Sequence, residues 1–157
     1  MPQIIPWSPD FSVGNSTLDE QHKKLLSVCN ALSECCEMEG RLKISRFHEL
    51  LDELARYMRE HFATEESMLA RCCYAGLEDQ KAEHLAFQEK LVGIISDAAF
   101  GRCDITETAR FVSKWWSSHI LESDMDYKAS ISKSPYSSRS DALQALFTSD
   151  EGFGLSA

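Results

Sequence analysis

The side chains of this chain that can do chemistry are histidines and carboxylates spread over four segments with helical periodicity. Six of them stand out as candidates for one shared site: His22, His61, Glu65, His84, His119 and Asp124. Imidazole nitrogens together with carboxylate oxygens suit a non-haem iron site. A buried cluster of this kind would be costly without a metal to balance it. These residue types therefore predict a buried metal site, with iron as the favoured metal.

Spacing along the second segment indicates which side chains can act together. His61 and Glu65 are four residues apart, so both project from one helix face and form a plausible chelating pair. His48 and Asp52 have the same spacing. They lie beside the apolar stripe of the helix rather than within it, so we expect a surface pair there.

Spacing is less decisive on the third and fourth segments. Gln80 stands four residues before His84 and is the only side chain of its helix well placed to join it, although an amide is a weak ligand. On the fourth helix, α-helical periodicity favours Glu122, three residues after His119, over Asp124, five residues after it. Periodicity therefore leaves the choice of carboxylate open.

Four predicted helices would position these groups. Apolar residues recur at helical spacing in four segments, which run over about 16–38, 44–69, 77–100 and 106–131. Ser16 or Thr17 is the predicted cap of the first helix, and Gly40 its predicted end. Short connections make neighbouring helices antiparallel. The predicted fold is all-α, an antiparallel up-down-up-down four-helix bundle.

The two ends of the chain differ from the helical segments. Residues 1–15 are rich in proline and predict an extended arm, anchored by Trp7 and Phe11. The bundle would occupy 1–131, arm included, and a Ser-rich tail with a short amphipathic segment would occupy 132–157. That segment, at about 141–147, would dock on the bundle or on a partner protein, or would form a frayed terminus.

Composition limits the function further. A chain of 157 residues is long enough for one domain with its own core, and no apolar run approaches the roughly 18 residues that span a bilayer. The net charge of −9 argues against a nucleic-acid partner, because no cluster of Lys or Arg offsets it. The first residues lack the features of a signal peptide, so we expect a cytoplasmic protein without a membrane partner.

The six cysteines do not predict a disulfide framework, since a chain of this size and apolar content needs no covalent staples. Two adjacent pairs, Cys35-Cys36 and Cys72-Cys73, raise the alternative of a thiolate zinc site. No C-x-x-C spacing is present, and inert or surface thiols are the favoured interpretation.

The motifs around these residues resemble the hemerythrin-like family, in particular bacterial hemerythrins, over roughly residues 4–131. The similarity is carried by Ile5-Pro6-Trp7, by Val13-Gly14 with the run from Leu18 to Leu25, by the run from His61 to Glu66, by Tyr74 with the run from Lys81 to Phe87, and by Trp115, His119-Ile120, Asp124 and Tyr127. Together these motifs are highly specific.

This resemblance implies a bundle that holds two non-haem irons, bridged by the carboxylates of Glu65 and Asp124 and by an oxo or hydroxo group. Asp124 is thereby preferred to Glu122. By the same resemblance, His22 and His61 would hold the iron with the open position, where relatives bind dioxygen. The other iron would be held by His84 and His119.

The implied function is binding of dioxygen or a related small ligand, as an oxygen carrier or as an oxygen or redox sensor. The alternative is a diiron enzyme, namely a peroxidase, an oxidase or a nitric oxide reductase. A third hypothesis is an interaction bundle without iron. The tail after Ser132 would suit a signalling output.

Two residues depart from the family pattern. Gln80 stands where the family normally has a histidine, so one iron loses a nitrogen ligand, and Gln80 would bind through its carbonyl, hold a metal-bound water, or do neither. Trp116 stands where the family usually has a leucine that overhangs the oxygen pocket. Its indole would narrow or gate that pocket.

Overall fold

The helices follow one another along the chain with short connections. The structure is a computed structural model that describes residues 2–133. Its elements are a short 3-10 helix, Pro9–Phe11, followed by α1 (Ser16–Cys35), α2 (Gly40–Arg71), α3 (Leu77–Ala99), α4 (Ile105–Ser118), a π-helical segment (His119–Asp124) and α5 (Met125–Ser132). The last three are continuous and form the fourth rod of an antiparallel up-down-up-down bundle. The predicted fold is confirmed, and within 2–133 there is no strand.

Two predicted helix boundaries were wrong. Asn15 caps α1, and its side chain accepts a hydrogen bond from the Leu18 amide at 3.1 Å. Asn is as good a cap as the predicted Ser16 or Thr17, and these two residues are helical instead. Gly40 has a left-handed φ of 64° and begins α2 rather than ending α1. The first two helices are therefore joined by only a few residues.

The apolar core consists of two clusters. The larger one joins side chains of all four rods, among them Leu25, Phe62, Phe87, Trp116 and Ile120. The smaller one lies towards one end of the bundle and contains Val13, Leu18, Leu69, Tyr127 and Ile131. On α1, α2 and the fourth rod, the predicted site residues stand in the sequence between members of the two clusters. A polar layer therefore separates two apolar layers.

The N-terminal arm is attached to α1. The backbone N–H of Ile5 donates to Asn30 Oδ1 at 2.7 Å, and Asn30 Nδ2 donates back to the Ile5 carbonyl at 2.9 Å. The rings of Trp7 and Phe11 stack with centroids 5.9 Å apart, and Phe11 is buried. The predicted extended arm and its two anchors are confirmed.

Other predictions concern the tail, the membrane and the cysteines. The amphipathic segment at 141–147 and most of the predicted tail lie outside the described residues. None of the helices from residue 2 to 133 has the length and apolarity needed to cross a bilayer. The cysteines are free thiols.

Candidate metal centre

The predicted site residues meet in the interior of the bundle. All six are buried, and four of them have no measurable exposure: His22, His61, Glu65 and Asp124. Their ligand atoms form two groups, each with atoms within 4.8 Å of one another; one contains His22, His61, Glu65 and Asp124, and the other contains Glu65, His84 and His119.

Each of the two carboxylates faces both pairs of histidines. One oxygen of Glu65 lies 2.9 Å from His61 Nε2, and its other oxygen lies 3.6 Å from His84 Nε2. Asp124 directs Oδ2 to His22 Nε2 and Oδ1 to His119 Nε2, both at 3.1 Å. Two carboxylates that each present one oxygen to either side could contribute ligands to a metal ion on both sides.

Three of the histidines are oriented through their outer nitrogen. Nδ1 of His84 lies 2.8 Å from Glu66 Oε1, and Nδ1 of His119 lies 2.9 Å from Glu83 Oε2. Nδ1 of His61 lies 3.2 Å from the side-chain oxygen of Gln21. Because an oxygen acceptor requires a proton on Nδ1, the neutral ring presents the lone pair of Nε2 to the interior. Metal-binding histidines are held in this way.

The contacts inside the cluster fit a cation. Nε2 of His84 and Nε2 of His119 face each other at 3.2 Å, although both rings already have an acceptor at Nδ1. Several buried polar atoms of the described residues have no hydrogen-bond partner, including both nitrogens of His22, Nε2 of His61, both carboxylate oxygens of Glu65 and Oδ2 of Asp124. Contacts such as His22 to Asp124 are thus close but not aligned as hydrogen bonds. Unpaired buried acceptors are costly, and a cation would satisfy them.

Burial and mutual charge shift the pKa values of these groups. Burial and the charge of Asp124 raise the pKa of Glu65 well above its ordinary value. Burial, with the neighbouring His22, lowers the pKa of His61 well below its ordinary value. Burial disfavours the charged form of Asp124, but the neighbouring His119 and His22 outweigh burial and lower the pKa of that carboxyl. At neutral pH, His61 is therefore neutral and free to use its lone pair.

The π-helical segment brings Asp124 into the cluster. A π-helix closes its hydrogen bonds between residues i and i+5, so side chains five apart share a face. Asp124 is thus aligned with His119, whereas Glu122 is exposed. α-Helical periodicity favoured Glu122 because it assumes a regular α-helix. The structure instead brings Asp124, the residue that the resemblance implies, next to His119.

Gln80 also reaches the cluster. Its side chain is 4% exposed, and Nε2 donates to the backbone carbonyl of Ser123 at 2.8 Å. The same nitrogen lies 3.5 Å from Asp124 Oδ1. The other end of the amide, Oε1, has no partner among the described residues.

Aromatic rings enclose the histidines. Phe62 stacks on His84 with centroids 3.7 Å apart, and Trp115 stacks on His119 at 4.4 Å. Trp116 has no measurable exposure and meets the His61 ring edge-on at 5.7 Å. The cluster is therefore shielded from water on this side.

Sequence reasoning identified some neighbours of the site correctly and missed others. Asp52 is exposed and His48 is partly buried, outside both groups, as predicted. The orienting roles of Gln21, Glu66 and Glu83 were missed. Each of them stands beside one site residue in the sequence but contacts a histidine on another helix. Spacing within one helix cannot predict such a contact between helices.

Comparisons with known proteins agree with this geometry. The family described as "Hemerythrin HHE cation binding domain" matches residues 13–131. A hemerythrin-like protein of Naegleria gruberi is 33% identical over 128 residues, covering 82% of this chain and 94% of the relative. A bacteriohemerythrin of Clostridium acetobutylicum is 32% identical over 127 residues, covering 79% of this chain and 98% of the relative.

Solved structures give the same result for the fold. A crystal structure of wild-type hemerythrin superimposes with a TM-score of 0.75 at 26% identity, covering 83% of this chain and 99% of that one. The family match spans the helices that carry all six candidate residues. The chain therefore belongs to the hemerythrin family.

Proposed function

We propose that this protein holds a pair of non-haem irons and binds dioxygen, as an oxygen carrier or as an oxygen or redox sensor. The observation that carries the proposal is the double-sided arrangement of Glu65 and Asp124, each with one oxygen towards either pair of histidines. When bound, the two irons would supply the electrons needed to hold dioxygen.

Two pairs of histidines would each hold one of the two irons. His22 and His61 would hold the iron with the open position, and His84 and His119 would hold the other. Glu66 and Glu83 fix the rings of the second pair through Nδ1, so that Nε2 faces the interior of the cluster. Fixed rings reduce the rearrangement needed when a metal enters or leaves.

The aromatic surroundings of the cluster favour reversible binding of dioxygen over its conversion to reactive products. Trp116 lies against His61 and is completely buried, so it restricts the space beside the open position. Exclusion of water by this ring would limit the access of protons to that position. A carrier needs this exclusion of water throughout oxygen binding, and a sensor needs it until the signal has been transmitted. In a sensor, the tail after Ser132 would contact a partner protein.

One observation favours an enzyme instead. The family resemblance implies a histidine at the position of Gln80, and the His84/His119 side would therefore have one nitrogen fewer. A second exchangeable position would allow peroxide, dioxygen or nitric oxide to be turned over by a peroxidase, oxidase or nitric oxide reductase.

Anaerobic reconstitution with Fe²⁺ followed by exposure to air separates these functions. A carrier or sensor gives a stable new absorption band that disappears when oxygen is removed. Rapid bleaching, together with sustained consumption of oxygen, peroxide or nitric oxide, would support the enzyme. A protein that takes up no iron would refute both. His48→Ala is the matched control, because it removes a histidine of α2 outside the cluster.

A further inference from the structure

The side chain of Gln80 is held in one orientation by its amide nitrogen. The partner of that nitrogen, at 2.8 Å, is the backbone carbonyl of Ser123, which can only accept a hydrogen bond. The nearer end of the amide must therefore be the NH₂ group. Since the amide is planar, an anchored Nε2 also fixes the position of Oε1.

The oxygen at that other end is buried without a donor. Gln80 is 4% exposed, and Oε1 makes no hydrogen bond within residues 2–133. Buried carbonyl oxygens normally have a partner, so an isolated one requires an explanation. A cation is such a partner, because carbonyl oxygens are ligands for hard and intermediate divalent metals.

The amide also lies beside the second group of candidate ligands. Nε2 is 3.5 Å from Asp124 Oδ1, and that oxygen is 3.1 Å from His119 Nε2. Ser123, which anchors the amide, belongs to the same π-helical segment as His119 and Asp124. Gln80 on α3 and this segment are thus held together around one point.

We infer that Gln80 Oε1 is itself a metal ligand on the His84/His119 side, where an amide oxygen would complete the set begun by the two histidines. This inference rests on the proposed metal centre. Each metal then has two histidines and a share of the two carboxylates, and the second has an additional neutral oxygen. Because that side is richer in oxygen, it should accept Mn²⁺ more readily than a side completed by imidazole.

A direct test uses the full chain and Zn²⁺, which is diamagnetic. In protein labelled with ¹³C in the glutamine side-chain carbonyls, the Gln80 signal is identified by its loss in Gln80→Leu. We expect it to shift downfield when Zn²⁺ binds, while the Gln88 signal on the same helix stays in place. Binding of Zn²⁺ without a shift of the Gln80 signal would overturn this inference alone. Failure of Zn²⁺ to bind would overturn the proposed metal centre as well.

Two substitutions separate ligation from positioning. Gln80→Glu keeps an oxygen ligand but cannot donate to the Ser123 carbonyl, whereas Gln80→Leu removes both groups. Ligation predicts Fe²⁺ release to a chelator near the wild-type rate for Gln80→Glu and at least about tenfold faster for Gln80→Leu. Equally fast release from both variants would show that the hydrogen bond to Ser123 is what matters, and would overturn the inference. Gln88→Leu is the control, and circular dichroism checks folding.

Discussion

At the scale of single residues, the proposed metal centre depends on two carboxylates that each face both sides of one cluster. Glu65 and Asp124 contribute one oxygen to each pair of histidines, so the loss of either should affect both proposed metals at once. Each histidine would bind one metal only. Loss of both metals on removal of one carboxylate would therefore distinguish a paired site from two independent sites.

Removal of Glu65 should therefore have a larger effect than removal of a histidine outside the cluster. We expect Glu65→Ala to lower iron affinity at least about tenfold, and His48→Ala to leave it unchanged. Iron per chain after gel filtration in the presence of a weak chelator measures the difference. Equal iron retention in the two variants would contradict the assignment.

Metal binding should depend on pH through Glu65. Burial and the charge of Asp124 raise its pKa in the metal-free fold above 4.5, so a cation must displace a proton from it. We expect Zn²⁺ affinity to rise as the pH increases from 4.5 through that raised pKa. Calorimetry in buffers of different ionisation enthalpy should detect proton release, which Glu65→Gln should reduce.

The same shift affects the stability of the metal-free protein. A carboxyl whose pKa is raised by folding contributes fully below its unfolded value of 4.5, and this contribution is lost as the pH rises through the folded pKa. The free energy of unfolding of Glu65→Gln should fall less steeply with pH over that window. Identical slopes for variant and wild type would show that Glu65 does not carry a raised pKa.

At the scale of helices, the π-helical segment decides which carboxylate enters the site. It aligns Asp124 with His119 and leaves Glu122 exposed. Apolar periodicity predicted the four rods well, because each rod buries one stripe. Apolar periodicity could not predict the π-helical segment, because its only signal in the sequence is a shift of one residue in the spacing of apolar residues. It also could not predict the contacts of Glu66 and Glu83 with histidines on other helices.

Moving the carboxylate by one residue tests this segment. In the double variant Ser123→Asp and Asp124→Ser, the carboxylate stands four residues after His119, as a regular α-helix would require. The π-helical geometry predicts loss of most bound iron, since position 123 is only partly buried and position 124 faces the cluster. Glu122→Ala should retain iron. Normal iron content in the double variant would show that the fourth rod readily becomes α-helical there.

At the scale of the whole molecule, the polar layer lies between two apolar clusters of side chains from residues 2–133. The arm and four helical rods bury these clusters, so we expect the bundle to be stable without the tail. A chain that ends at Lys133 should keep the iron content and melting temperature of the full chain. If it unfolds, Leu143, Leu146 and Phe147 belong to the core, and the boundary at 131 is wrong.

The most direct test of the central claim is the number of irons that each chain holds. The full chain, reconstituted anaerobically with Fe²⁺ and freed of excess metal, should retain a pair of irons, because Glu65 and Asp124 face two sides. After oxidation it should show the near-ultraviolet bands of a bridged ferric pair. Retention of a single iron, or of none, would contradict the account.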